Sequence, residues 1–453
     1  MIKMKIALYL QDNRKDIDKE EFNKITSSVK KEKIDLFVFP EFSKTPFDDK
    51  FYENIDWKTI ETTALEISNL FGCAIIIGGE IGSSHQKHEY KHYVNAKNEL
   101  NKSLSLGDKY IYSYYANAYA KGNETLTEIY FKHTMAESSP LGLKNYKESI
   151  DKFFSPITLK NKKIGMTICY DCNHSAFSRA YGKQNIDMII NSTGGNVVFD
   201  KWYKYNKVRA LENECFNFCT MGYKNAKRPN SYIYAFTPKG EEIKWNKTIF
   251  PINDKWDEIG NIFVFDTESL DVTYKKDTNQ KGTINKNQDL SINPNEIELL
   301  LKSSLKIDEN LYLNEFNGFN IVLCILNDYE ICKPEIYLKL MYNKKLKRFK
   351  NKKYILISKW DKLDKELYES VISDILRVRA MENYCGVILI SKGLEKCYQT
   401  TKTKSSQLVK KQKNRYNLDL QRMTGPEVIW KNKSGMKKSW RKGFEKLIEH
   451  ISI

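Results

Sequence analysis

Through the first half of the chain, short apolar runs alternate with stretches whose apolar positions recur every three or four residues. The runs at 5–10, 34–39 and 73–78 are rich in β-branched and aromatic side chains and too short for helices, so they read as buried strands. Residues 59–70 set Ile60, Leu65, Ile67 and Leu70 at helical spacing. Residues 110–120 alternate tyrosine with small side chains. The turn signal Lys121-Gly122-Asn123 and a second apolar run at 126–131 follow, which predicts a long hairpin. Runs at 164–169 and 188–190 read as further strands flanked by helical stretches. Strand–helix alternation with inserted hairpins predicts a layered α/β fold.

The pattern changes near residue 271. Residues 271–310 are polar and poor in aromatics, and read as a linker carrying one helix over 295–305. Beyond 311 the chain repeats itself. Ile321 to Asp328 parallels Ile164 to Asp171, and Arg377 to Asn383 parallels Lys207 to Asn213, in the same order and at similar spacing. In that alignment Leu326 stands opposite Cys169, so the second copy is expected to be a degenerate half-domain without chemistry. The organisation expected is a main domain over 1–270, a linker over 271–310, and a half-repeat with a basic tail over 311–453. Trp440, Phe444, Leu447, Ile448 and Ile451 share one helical face, which predicts a helix docked on a core instead of a membrane anchor.

A length of 453 residues exceeds what one core organises, in keeping with more than one domain. With 41% hydrophobic and 29% charged residues, and no apolar run near the ~20 residues that span a bilayer, a membrane protein is not expected. The N-terminus reads as a first strand and not an export signal, so a cytoplasmic location is expected. Nine scattered cysteines form no disulfide framework. The +17 net charge is uneven: residues 311–453 hold about 30 Lys and Arg against about 15 Asp and Glu, roughly +15 of the excess. Residues 402–442 interleave that charge with Tyr416, Trp430 and Trp440, a mix suited to nucleic acid or another acidic partner.

Three apolar runs each end on a reactive side chain: Phe39-Pro40-Glu41, Tyr130-Phe131-Lys132 and Ile168-Cys169-Tyr170-Asp171. Strand ends are where layered α/β proteins gather their functional groups. A thiol needs help to become a nucleophile near neutral pH, and a carboxylate and an ammonium could give it. Glu41 would act as base, Lys132 would lower the thiol pKa, and Lys132 with the Tyr170 backbone N–H would hold an oxyanion. Taken singly, such residues are more often a core cysteine, a capping acid and a solvated lysine; their order and context give them weight. The pairs Cys169/Cys172 and Cys215/Cys219 also suggest half-sites for zinc. The second pair lies in an apolar stretch where cysteine is a common filler, so neither metal nor other cofactor is expected.

The order Glu, Lys, Cys in these contexts resembles the carbon–nitrogen hydrolase (nitrilase) superfamily over about residues 4–270. Further matches are Asn117, Glu137, Asn191 after the next strand, Arg209-Ala210-Leu211-Glu212-Asn213, and the hairpin ending Pro238-Lys239-Gly240. The resemblance implies a four-layered α-β-β-α sandwich that cleaves amides, nitriles or carbamoyl groups through a cysteinyl acyl-enzyme, usually as a homodimer or larger homo-oligomer. It implies that Glu137 positions Lys132 and water, and that Arg209 and Glu212 brace the helix beside the site. The run after the nucleophile, Cys172-Asn173-His174, departs from the common aromatic–proline pattern. It leaves the substrate open, with His174 and Asn191 as candidate contacts. The alternative reading is a nitrilase-like scaffold that binds nucleic acid or a protein. Such domains also occur attached to reverse transcriptases in bacterial anti-phage systems, so a defence role is conceivable by analogy.

Overall fold

The computed structural model describes residues 3–11, 17–41, 46, 57–81, 114–121, 124–132, 154–194, 199–222, 233–250, 260–273, 282, 290–401, 405–426 and 437–453. It divides into two units, Met1–Thr273 with Lys438–Leu447, and Tyr274–Lys437 with Ile448–Ile453. No helix among the described residues is long and apolar enough to cross a membrane.

The first unit is an α-β-β-α sandwich. Among the described residues, one seven-stranded sheet runs Lys247–Phe250, Gly260–Asp266, Lys5–Gln11, Leu36–Val38, Ala74–Ile81, Tyr114–Lys121, Glu124–Phe131. The hairpin expected around Lys121 forms, with Lys121 paired to Glu124. The other sheet runs Asp271–Thr273, Glu242–Lys244, Tyr234–Phe236, Phe216–Met221, Met188–Thr193, Lys162–Ile168, Ile157–Leu159. Helices Lys19–Glu32 and Trp57–Phe71 belong to the first sheet's outer layer, and Ser175–Gly182 and Phe199–Asn213 to the second's. Helix Lys19–Glu32 starts where the Asp18 carboxylate accepts from Glu21 N, and stops at left-handed Lys33. It buries Phe22, Ile25 and Val29. The sheets are stitched face to face by polar contacts as well as apolar ones. Ser192 Oγ donates to Phe39 O (3.0 Å) and Thr220 Oγ1 donates to Tyr9 O (2.5 Å).

The second unit is built on a sheet ordered Leu305–Asp308, Leu311–Phe316, Phe319–Asn327, Lys352–Trp360, Gly386–Ser391, Leu394–Thr400, Ser406–Leu408. Its three central strands are parallel and flanked by antiparallel neighbours, as around Lys162–Ile168, Met188–Thr193 and Phe216–Met221 in the first unit. Both parallel trios end their first strand in a tight turn, Cys169–Asn173 and Asp328–Cys332, entered by a residue with positive φ (46° and 40°). In each, a buried arginine locks the turn. Arg209 Nε donates to Cys172 O (2.8 Å) while its guanidinium pairs with Glu212 (2.5 Å). Arg379 Nε donates to Ile331 O (3.0 Å) and pairs with Glu382 (2.8 Å). These contacts correct the alignment made from sequence. Asp328, not Leu326, stands where Cys169 stands, because apolar runs slide against each other by two residues without changing which face is buried.

The inner face of this sheet, Ile321, Leu323, Ile325, Ile355, Ile357 and Ile388, packs on Leu290, Ile292, Leu301, Leu418, Leu420 and Met423. A three-stranded sheet of Leu290–Ile292, Arg415–Leu418 and Lys411–Gln412 thus covers the face that in the first unit meets a second large sheet. Part of the segment expected to be connector is therefore core. The helix expected over 295–305 is shorter, Ile297–Lys302, since the chain turns back into strand at Leu305. In the C-terminal helix Lys437–Ile451, Phe444, Leu447, Ile448 and Ile451 are all buried. The side chain of Trp440 lies outside the described residues.

Arg379→Ala would leave Glu382 as an uncompensated buried charge. It is expected to cost about 3–5 kcal/mol, read as a lower urea midpoint; a midpoint unchanged from the parent would show that the clamp does not hold the turn.

Candidate active site

Three strand ends converge in the first unit. After Leu36–Val38, the Phe39 N–H still donates to Ile76 O (2.8 Å), and Pro40 then ends the ladder for want of an N–H. Glu41 follows at once. Gly78 on the neighbouring strand lies so close to this bend that a Cβ would sit 2.2 Å from Glu41 O and 2.6 Å from Pro40 O. Only glycine admits that approach. Lys132 is the first residue after Glu124–Phe131, and Cys169 the first after Lys162–Ile168. The left-handed backbone of Cys169 is strained for a residue with a side chain.

The three side chains meet. Lys132 Nζ donates to Glu41 Oε1 (2.6 Å), the Gly194 N–H donates to Oε2 (2.9 Å), and the Cys169 thiol is hydrogen-bonded to the same carboxylate. Glu41, Lys132 and Cys169 are only 3%, 4% and 6% exposed. Burial pushes the Cys169 thiol pKa well above its usual range, the Glu41 carboxylate adds to that, and Lys132 opposes both without overturning them. Lys132 thus acts on the thiol in the expected direction, and burial outweighs it. Burial is also the largest influence on Lys132 and disfavours its charge. Glu41 and Asp171 oppose it; the pKa of Lys132 is raised and the ammonium persists.

Residues 14–237 match the family described as carbon–nitrogen hydrolase. The first unit belongs to that family. Its solved structural neighbours include Nit3 from Saccharomyces cerevisiae, a member of branch 10 of the nitrilase superfamily, at 19% identity and TM-score 0.38 over 59% of this chain and 91% of that one. A CN-hydrolase superfamily protein from Xanthomonas campestris, carrying an arsenic adduct in its active site, aligns at 14% identity and TM-score 0.38 over 59% and 92%. An amidase from Nesterenkonia sp. aligns at 12% identity and TM-score 0.37 over 58% and 90%. None of the curated proteins matches the chain.

Around Glu41, Lys132 and Cys169 the remaining candidates sort by what they touch. Tyr170 follows the sulfur directly within the turn Cys169–Asn173. Arg209 and Glu212 brace the turn, and Glu212 also accepts from Ser178 Oγ (3.2 Å). Asn191, expected as a candidate substrate contact, is hydrogen-bonded within the sheet. Its neighbour Ser192 faces the opposite sheet, so strand alternation turns Asn191 to the helical side. There its nitrogen donates to Thr167 Oγ1 (3.1 Å) and its oxygen accepts from Thr193 (2.8 Å). His174, the other candidate contact, packs its ring among Tyr170, Phe177 and Phe444 at 5.6–6.1 Å. Glu137 lies outside the described residues, as does the side chain of Asn117. Among the described residues no group of three or more His, Cys, Asp or Glu could hold a metal ion.

Two residues given no role from sequence stand out. Tyr130 OH donates to Asp171 Oδ2 (2.9 Å), a buried bond between the strand of Lys132 and the turn of Cys169. Both sit inside the motifs that identify the site, two residues from its lysine and its cysteine. Gly78→Ala should force the Glu41 bend outward, costing about 1–3 kcal/mol and most of the activity; a variant with parental denaturation midpoint and turnover would show the bend can yield.

Proposed function

We propose that the first unit hydrolyses a non-peptide carbon–nitrogen bond, in an amide, nitrile or carbamoyl compound, with Cys169 as nucleophile, Glu41 as base and Lys132 as oxyanion stabiliser. The observation that carries this reading is the buried Glu41–Lys132 pair beside a thiol held on a strained turn. Because the resting thiol is protonated, its proton passes to Glu41 as the C–S bond forms, and no free thiolate accumulates. With an amide, the carbonyl π pair moves to oxygen, and the Lys132 ammonium and Tyr170 N–H stabilise the charge there. Collapse expels the nitrogen with the proton from Glu41 and leaves a thioester. Water then gives a proton to Glu41 and attacks the thioester, and Cys169 departs, recovering its proton. The raised pKa of Lys132 suits a group that must stay cationic and not compete for that proton.

Cys169→Ala keeps the turn and removes the nucleophile. Across a panel of amides, nitriles and carbamoyl compounds, turnover of the hydrolysed member should fall at least about 10³-fold. Mass spectrometry of the parent should find its acyl group on Cys169. Retained turnover, or an acyl adduct on another residue, would refute the assignment.

A second role, binding of nucleic acid by the C-terminal unit, is supported by a cavity of about 540 Å³ lined by Lys396, Lys410, Lys411, Leu394, Leu408 and Tyr416. Lys411 lies over the Tyr416 ring (5.5 Å) and pairs with Glu395, leaving a basic rim at Lys396 and Lys410. Binding of a single-stranded oligonucleotide by the full chain should weaken steeply with salt, and Lys396→Glu with Lys410→Glu should reduce it about tenfold with a shallower salt slope. Unchanged affinity in that double variant would remove this role.

A further inference from the structure

The buried hydrogen bond from Tyr130 to Asp171 joins the two halves of the proposed triad at their roots. Tyr130 precedes Lys132 by two residues, and Asp171 follows Cys169 by two. The lysine's strand and the cysteine's turn belong to different sheets, with no backbone ladder between them. A displacement of one sheet against the other would change the ammonium–sulfur distance directly. The Tyr130 ring is held by Phe154 (6.4 Å) and Tyr181 (6.2 Å), so its hydroxyl is a fixed anchor and not a swinging arm.

The repeat supplies an internal comparison. In the second unit Glu330 occupies the place of Asp171, and the two turns share the same arginine clamp. There the carboxylate folds back and accepts from its own Asn327 N–H (2.7 Å). An acid at this position therefore has a local use that forms the turn, and the turn does not require it to reach outward. In the first unit the shorter acid instead reaches across to the lysine's strand, and its charge also favours the Lys132 ammonium.

We propose that Tyr130 and Asp171 are a positioning pair that sets Lys132 against Cys169. This rests on the thiol-hydrolase reading above. Neither residue touches the reacting atoms; they act through the registry of two strand ends.

The test is the rate at which iodoacetamide alkylates Cys169 in the full chain, followed by peptide mass spectrometry from pH 6 to pH 10. Cys332, half-buried in the other unit, serves as the reference. Tyr130→Phe keeps the ring and deletes the bond. It should retain the parental circular dichroism and slow Cys169 alkylation on the order of tenfold throughout that pH range as lysine support is lost. Asp171→Asn keeps an acceptor for the hydroxyl but not the charge, and should fall between Tyr130→Phe and the parent. Glu330→Gln should leave the Cys169 profile unchanged. If Lys132→Met shifts the profile while Tyr130→Phe and Asp171→Asn do not, the positioning role is overturned and the triad stands. If Lys132→Met shifts nothing, the triad reading and the positioning role both fall.

Discussion

The structure depends on a left-handed residue forced into place where a buried parallel strand stops. A side chain there costs roughly 1–3 kcal/mol, and the conformation persists only because its surroundings leave the turn no alternative. The arginine clamp supplies that constraint. A planar guanidinium reaches a carbonyl of the turn with one edge and a glutamate on its own helix with another, so the helix and the turn cannot move apart. The same arrangement in the second unit, with Asp328 at the strained position and no triad around it, separates two jobs that coincide in the first. Clamp and strain are architecture; chemistry is what the opposing sheet adds.

That opposing sheet brings a carboxylate and an ammonium into a nearly dry space, which is costly unless they meet each other. They do, at 2.6 Å, and the remaining oxygen of Glu41 is satisfied by a backbone N–H. The thiol between them is left neutral. This resting state is consistent with the chemistry proposed. A neutral thiol is a poor nucleophile by itself, but one held on a carboxylate can release its proton as bonding begins. In the proposed reaction the lysine, kept cationic by its neighbours, meets negative charge on the substrate oxygen as it develops.

Much of this was legible in the sequence, and the parts that were not failed for physical reasons. Strand ends bearing Glu41, Lys132 and Cys169 could be read because an apolar run that stops on a polar residue marks where a sheet meets its rim. The repeat could be read because Arg209 and Arg379 lie in nearly identical helical segments. Its register could not: Ile, Val and Leu in a buried parallel strand are interchangeable, and only the position of the turn distinguishes one alignment from another. The face that Asn191 takes was not legible, because nearness in sequence to a strand end does not fix it, a parity that the bond from Ser192 to Phe39 decides. The burial that outweighs Lys132 at Cys169 was not legible for a similar reason, since charge pairing is visible in composition whereas desolvation is a property of the packed state.

The second unit shows how a half-sandwich survives without a second large sheet. The exposed inner face of a parallel sheet is an apolar surface that must be covered. Here a three-stranded sheet and a short helix supply Leu290, Ile292, Leu301 and Leu418 in place of strands carrying an acid and a lysine. Once that face is sealed with aliphatic side chains, a nucleophile at Asp328 would have neither base nor cation beside it on that side, so nothing in the fold favours a cysteine there. The acid two residues further on is then free to cap its own turn. Its counterpart Asp171 is drawn outward only where a tyrosine on an opposing strand waits for it, so the same turn serves as structure in one unit and as a link between sheets in the other.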